Sequence, residues 1–185
     1  YTPRQLVDDL RRHDIDVRPI DVCDSNWEST LEKHALRLGL HNIKRLSRKG
    51  AERLLKARTQ RPFRDIADLA RRAQLDRGDL EALAAADALR SLAGHRHQAR
   101  WACAAIEPIT PLLQDAPVHE ATPVLAAPRE GENLVADYAS TGLSLGRHPL
   151  ALLRNRLDRL QLLTAARLQR SEHGCLMRTA GIVTN

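Results

Sequence analysis

Gly39-Leu40-His41-Asn42-Ile43-Lys44-Arg45-Leu46-Ser47-Arg48-Lys49-Gly50-Ala51-Glu52-Arg53-Leu54-Leu55-Lys56-Ala57-Arg58 decides how this chain reads. Leu40 to about Lys44 predicts a short helix, followed by a tight turn and a second helix from Ser47 to Thr59. Ala51, Leu54 and Leu55 share one face of that second helix, while Lys49, Arg53 and Lys56 fall on the opposite face. Between Lys44 and Arg58 seven basic residues stand against Glu52 alone, an excess equal to the +6 net charge of the whole chain. Two readings fit the charge: a solvated helix face, or a surface for an anionic partner. The hairpin adds chemistry to the second. The start of a helix leaves backbone N–H groups unpaired and carries partial positive charge, so it can hold a phosphate oxygen. Surrounding lysines and arginines add affinity through counterion release, without regard to base sequence. An ordinary αα-hairpin with a polar turn is the plainer alternative. The candidate binding residues are Lys44, Arg45, Leu46, Ser47, Arg48, Lys49, Gly50, Arg53 and Lys56.

Outward from this stretch the chain reads as mainly α. Thr2-Pro3 starts a helix to about His13, and Ile15 to Val22 alternates as a short strand. Trp27 to Leu38 holds one or two more strands. Asp65 and Asp76 each cap a short helix, ending near Ala73 and Ala86, which makes a second helix–turn–helix directly behind the first. A longer helix is expected from Leu92 to Ile106. Pro108, Pro111, Pro117, Pro123 and Pro128 mark residues 107–130 as a linker. Helices follow over Gly131–Thr141 and from His148-Pro149 to Leu157, and Leu176 to Thr184 reads as a β-strand. Because the chain opens on Tyr1 and closes on that unpartnered strand, it is expected to be a piece of a longer polypeptide.

Composition narrows the function. Of 185 residues, 43% are hydrophobic, 28% charged and only 3% aromatic. So few rings argue against an all-β barrel and against a base-stacking surface for single strands. No apolar run approaches the ~20 residues of a membrane span. Cys23, Cys103 and Cys175, odd in number and far apart, form neither a disulfide framework nor a zinc knuckle, and a cytoplasmic setting is expected. Asp14-Ile15-Asp16 has the spacing of a metal-binding carboxylate pair but lacks a third carboxylate, and Asp also turns chains at such junctions. His95 and His97 lack a third ligand, so the plainer reading is a basic, solvent-facing helix start with Arg96 and Arg100. Ser140, Thr141 and Ser144 lack the His–Asp arrangement of a nucleophile. No catalytic residue, metal ligand or cofactor site is assigned in this chain.

Several segments together resemble the C-family bacterial DNA polymerases of the α-subunit type. Tyr1-Thr2-Pro3-x-x-Leu6-Val7 and His13-x-Ile15-x-Val17-Arg18-Pro19-x-Asp21-Val22 resemble the end of that family's fingers. Leu38-Gly39-Leu40-x-x-Ile43-Lys44-x-Leu46-Ser47 resembles its helix-hairpin-helix entry. Pro62-Phe63-x-x-Ile66-x-Asp68-Leu69 with Leu80-Glu81-x-Leu83 resembles the second unit. Leu143-x-Leu145-x-x-His148-Pro149-Leu150 and Arg178-x-Ala180-Gly181-x-Val183 resemble the block before its OB domain and that domain's first strand. Within the family, Lys44-x-Leu46-Ser47 and Gly142-Leu143-Ser144-Leu145 resemble the error-prone, damage-induced branch.

The resemblance implies an organisation into a fingers-like α/β segment (1–38), a tandem helix-hairpin-helix module (39–106), a linker (107–130), a helical segment (131–175) and the first OB strand (176–185). It implies nonspecific grip on the double-stranded DNA backbone during repair synthesis. The catalytic carboxylates and their Mg²⁺ would lie upstream in the parent polymerase. Gln114-Asp115 runs into Ala116-Pro117-Val118 rather than a clamp-binding motif, which implies indirect clamp contact, through a Y-family-like accessory protein. The alternatives are the same segment of a replicative α subunit, and a helical protein-interaction module with an acidic partner. One departure stands out: the family usually has Gly where this chain has Arg45, and often a second Gly at Ser47. Positive φ is easy for glycine and costly for arginine. Either the turn is rearranged with the Arg45 side chain reaching the phosphate, or the hairpin binds more weakly.

Overall fold

The computed structural model describes residues 3–106 and 123–182. Helix α1 (Pro3–Arg12) buries Val7 and ends where Asp14 takes φ 56°, turning the chain into strand β1 (Asp16–Arg18). The expected cap Thr2 lies outside the described residues. Strands β2 (Thr30–Glu32) and β3 (Ala35–Arg37) form a hairpin, and β1 joins β3 in parallel, giving the order β1-β3-β2. Glu32 accepts from Arg18 at 2.7 Å and from Arg37 at 2.6 Å, tying the outer strands together. Gly39 then leaves the sheet: a Cβ there would stand 2.4 Å from the backbone of Trp27 and Glu28, so only glycine passes.

Two helical hairpins follow. The first is a 3₁₀ turn (Leu40–Asn42), shorter than the helix expected, leading through a turn to α2 (Arg48–Gln60). The second joins α3 (Ile66–Ala73) to α4 (Arg77–Ala85). Their turns correspond residue by residue. Arg45 (φ 70°) matches Gln74 (φ 48°), Leu46 matches Leu75, and the caps Ser47 and Asp76 match. After each cap comes an i,i+4 ion pair, Arg48–Glu52 at 3.1 Å and Arg77–Glu81 at 3.0 Å. Leu40, Leu54, Leu69 and Leu83 are wholly buried between the hairpins. Removing such side chains from water is the main stabilising term, about 2 kcal/mol each.

The helix expected over Leu92–Ile106 is two. α5 (Arg90–Ala93) stops at Gly94, whose φ of 81° breaks the spiral, and α6 (Arg96–Ala104) restarts on His95, whose ring accepts from the Gln98 amide. Arg96 is not solvent-facing, as its basic neighbours suggested, but 2% exposed. It donates to Ala85 O, Asn133 Oδ1 and Asp137 Oδ1, fastening α7 (Glu130–Ser140) to the end of α4.

The chain divides into two compact units, one ending at Leu145 and one starting at Gly146. α7 therefore belongs to the first unit, and the unit boundary falls inside the expected 131–175 segment. In the second unit the expected single helix after His148 is split at Leu153 into α8 (Pro149–Leu152) and α9 (Arg154–Arg159), and α10 (Ala165–Gln169) starts on a Thr164 cap. The strand expected from Leu176 does not form over its described residues. The one bridge there joins Leu163 to Thr179, and one bridge supplies no ladder for the flanking amides. Of the expected linker, residues 107–122, including the Gln114 region, lie outside the described residues. Residues 123–129 have no regular structure.

Candidate nucleic-acid interface

The first hairpin turn is held from below by Ile43 and Leu46, both buried, and presents Lys44 and Arg45 to solvent. Arg45 has φ 70°, in the left-handed region that glycine adopts easily, so the turn has a glycine-like shape with an arginine in it. A non-glycine residue held there costs on the order of 1 kcal/mol.

The start of α2 is already in contact with a carboxylate. Asp79 of α4, 2% exposed, accepts from the Ser47 amide at 2.8 Å and from its hydroxyl at 3.0 Å. Ser47 Oγ in turn accepts from the Gly50 amide at 2.9 Å. Gly50 makes room: a Cβ there would stand 2.0 Å from Asp79 Oδ2. Two of the amides expected to seat a phosphate are thus satisfied internally. Those of Arg48 and Lys49 have no acceptor among the described residues. Asp79 escaped the sequence reading. Gly50, a glycine inside a helix, was the available signal of something pressing close.

The cations divide in the same way. Arg53 donates to Ala73 O and Gln74 O, both at 2.9 Å, closing the carbonyl end of α3. Lys44 Nζ donates to Tyr138 O and Ala139 O at the end of α7 (3.1 and 3.2 Å), and Arg58 holds Val22 O and Ser25 O. These three serve the fold. The side chains of Arg45, Lys49 and Lys56 are exposed and make no hydrogen bond or ion pair among the described residues. Arg48 pairs with Glu52 and lies over the Trp27 ring at 5.7 Å, yet its side chain is 72% exposed. Leu46 and Gly50 are buried and shape the site without facing out. The free face is thus Arg45, Arg48, Lys49 and Lys56 around two open amides, which suits a polyanion recognised by charge.

Elsewhere, His95 and His97 hydrogen-bond the carbonyls of Leu125 and Ala126. Among the described residues no three His, Cys, Asp or Glu side chains converge as a metal site. Burial pushes the Cys23 thiol up to about 11, with Asp21 adding to it, and the Cys103 thiol up to about 12, so neither is a ready nucleophile. No helix of the described residues is long and apolar enough to cross a membrane.

Residues 14–99 match the family model described as a helix-hairpin-helix motif. The error-prone DNA polymerase of Alkalilimnicola ehrlichii is 53% identical over 190 residues, covering 100% of this chain and 18% of the relative. That of Azoarcus sp. is 51% identical over 100% of this chain and 18% of its own length. That of Methylococcus capsulatus is 47% identical over 99% and 20%. Along its whole length this chain is similar to error-prone DNA polymerases. It spans about a fifth of the length of these relatives. The likeness to error-prone polymerases holds across both compact units, and the family-model match takes in the sheet, both hairpins and the opening of α6.

Proposed function

We propose that this chain is the part of an error-prone DNA polymerase that holds the product duplex by its sugar-phosphate backbone during repair synthesis. The observation that carries the reading is the exposed cationic turn, with Arg45, Arg48, Lys49 and Lys56 around the open amides of α2. A polymerase must slide over every sequence, and contacts confined to phosphates allow that. Amides aimed outward from a helix start donate to a phosphate oxygen, and the exposed cationic side chains around them raise the local potential. In the parent polypeptide nucleotidyl transfer needs two metal ions held by carboxylates. That Mg²⁺ chemistry belongs outside this chain, which binds and does not polymerise. Contact with the sliding clamp is indirect, through a Y-family-like accessory protein, and the setting is cytoplasmic.

Fluorescence anisotropy on two duplexes of unrelated sequence tests the reading. Equal affinities that fall linearly in log K against log salt support it. A strong preference for one duplex, or affinity indifferent to salt, contradicts it.

A further inference from the structure

Beside the hairpin turn, α4, α6 and α7 enclose a groove of about 530 Å³. Its floor is apolar and made of small groups: Leu80, Cys103, Ala104, Ala136 and Ala139 contribute methyls, methylenes and a protonated thiol. No large side chain fills it. Its rim is cationic. Arg45 and Arg100 are exposed and make no hydrogen bond or ion pair among the described residues, Arg77 is 88% exposed, and Lys44 closes one end. The single carboxylate on the lining, Glu81, is held by Arg77 at 3.0 Å.

We infer that this groove docks an acidic peptide segment of a partner protein, with a large apolar side chain seated on the alanine floor and flanking Asp or Glu residues on the arginine rim. Charge complementarity selects the sign of the occupant, since beside the Arg77–Glu81 pair the lining carries Lys44, Arg45 and Arg100, a net three positive charges. The floor selects its class. A single nucleic-acid strand is held by stacking its bases on aromatic rings, and this lining offers no aromatic ring. An aliphatic side chain, by contrast, gains from leaving water there. Rim charges of this kind speed encounter and reject cationic segments. The inference does not rest on the duplex reading: the rim shares Arg45 with the cations assigned to DNA, but Arg100 and the floor lie outside them.

The test is a ¹⁵N-HSQC titration of the full chain with a short synthetic peptide in which Asp and Glu flank a pair of leucines. Expected are shifts clustered on Arg100, Cys103, Ala136 and Ala139. Affinity should fall at least tenfold on Arg100→Glu, on Ala104→Trp and on replacing the peptide leucines with alanine. Both substituted positions are exposed, and melting curves confirm that the variants fold. Shifts confined to α2, affinity unchanged by Ala104→Trp, or no shift at all would overturn the proposal. So would a single-stranded oligonucleotide that moves the same groove amides. Loss of duplex binding in the same variants is not expected, which separates this inference from the reading above.

Discussion

The carboxylate of Asp79 accepts two hydrogen bonds from Ser47, one from its amide and one from its hydroxyl. Through this contact the second hairpin sets the start of the first hairpin's long helix. An anionic group already rests where a helix start attracts one, and the space left for an outside phosphate is the outward edge formed by Arg48 and Lys49. The proposed function and the fold thus share one helix end.

Asp79→Ala is expected to lower stability by about 2 kcal/mol, because it removes a buried charged acceptor of two hydrogen bonds from Ser47. Gly50→Ala forces the same carboxylate aside. The two costs should therefore not add: in urea unfolding the double variant should lie close to the worse single variant, the sign of one shared contact.

Arg45→Gly is expected to raise stability by about 1 kcal/mol by relieving the left-handed arginine. It should weaken duplex binding and reduce the salt slope by about one. Tighter duplex binding by this variant would show that the arginine handicaps the hairpin.

Asp68 is 5% exposed and faces Arg61, Arg71 and Arg72. Burial alone would raise its pKa, but the Arg64 amide, the Arg72 hydrogen bond and the charges of Arg61 and Arg72 outweigh it and hold the carboxyl below the usual range. A depressed pKa means that its stabilisation is complete above the ordinary aspartate value and is lost as pH falls through the folded value. Asp68→Asn should lower stability at neutral pH by about 2 kcal/mol and flatten the acid limb of a plot of melting temperature against pH.

Asp87 behaves oppositely. Its Oδ1 has no hydrogen-bond partner, and burial, with Asp137 adding to it, raises its pKa despite Arg96 and Arg90. Its contribution is fullest below the ordinary aspartate value and is lost as pH rises through the folded one. Asn tolerates its φ of 57°. Asp87→Asn should thus gain about 1 kcal/mol at neutral pH, seen as a higher melting temperature that converges with the parent's in acid.

Local grammar carried much of the fold. The caps Asp65 and Asp76, the break at Arg61-Pro62 and the faces of α2, α3 and α4 follow from spacing and capping chemistry written within a few residues. What escaped is long-range. Arg53, Lys44 and Arg96 look like surface charge in one dimension, yet each donates to carbonyls at a helix end distant in sequence. Counting charges cannot separate a cation that caps a neighbouring helix from one that faces solvent. The break at Gly94 was locally visible, and apolar spacing on either side of it masked the signal. In the candidate interface, the charge run showed Arg45, Arg48, Lys49 and Lys56 as exposed cations, but it did not show that Arg48 also pairs with Glu52 and lies over Trp27.

The most direct measurement of the central claim is the salt dependence of duplex affinity for Lys49→Ala with Lys56→Ala, beside Arg12→Ala on α1 as a control. A slope in log K against log salt smaller by about two is expected for the double variant, with no change for the control. A double variant that binds duplex with the parent's affinity and slope would contradict it.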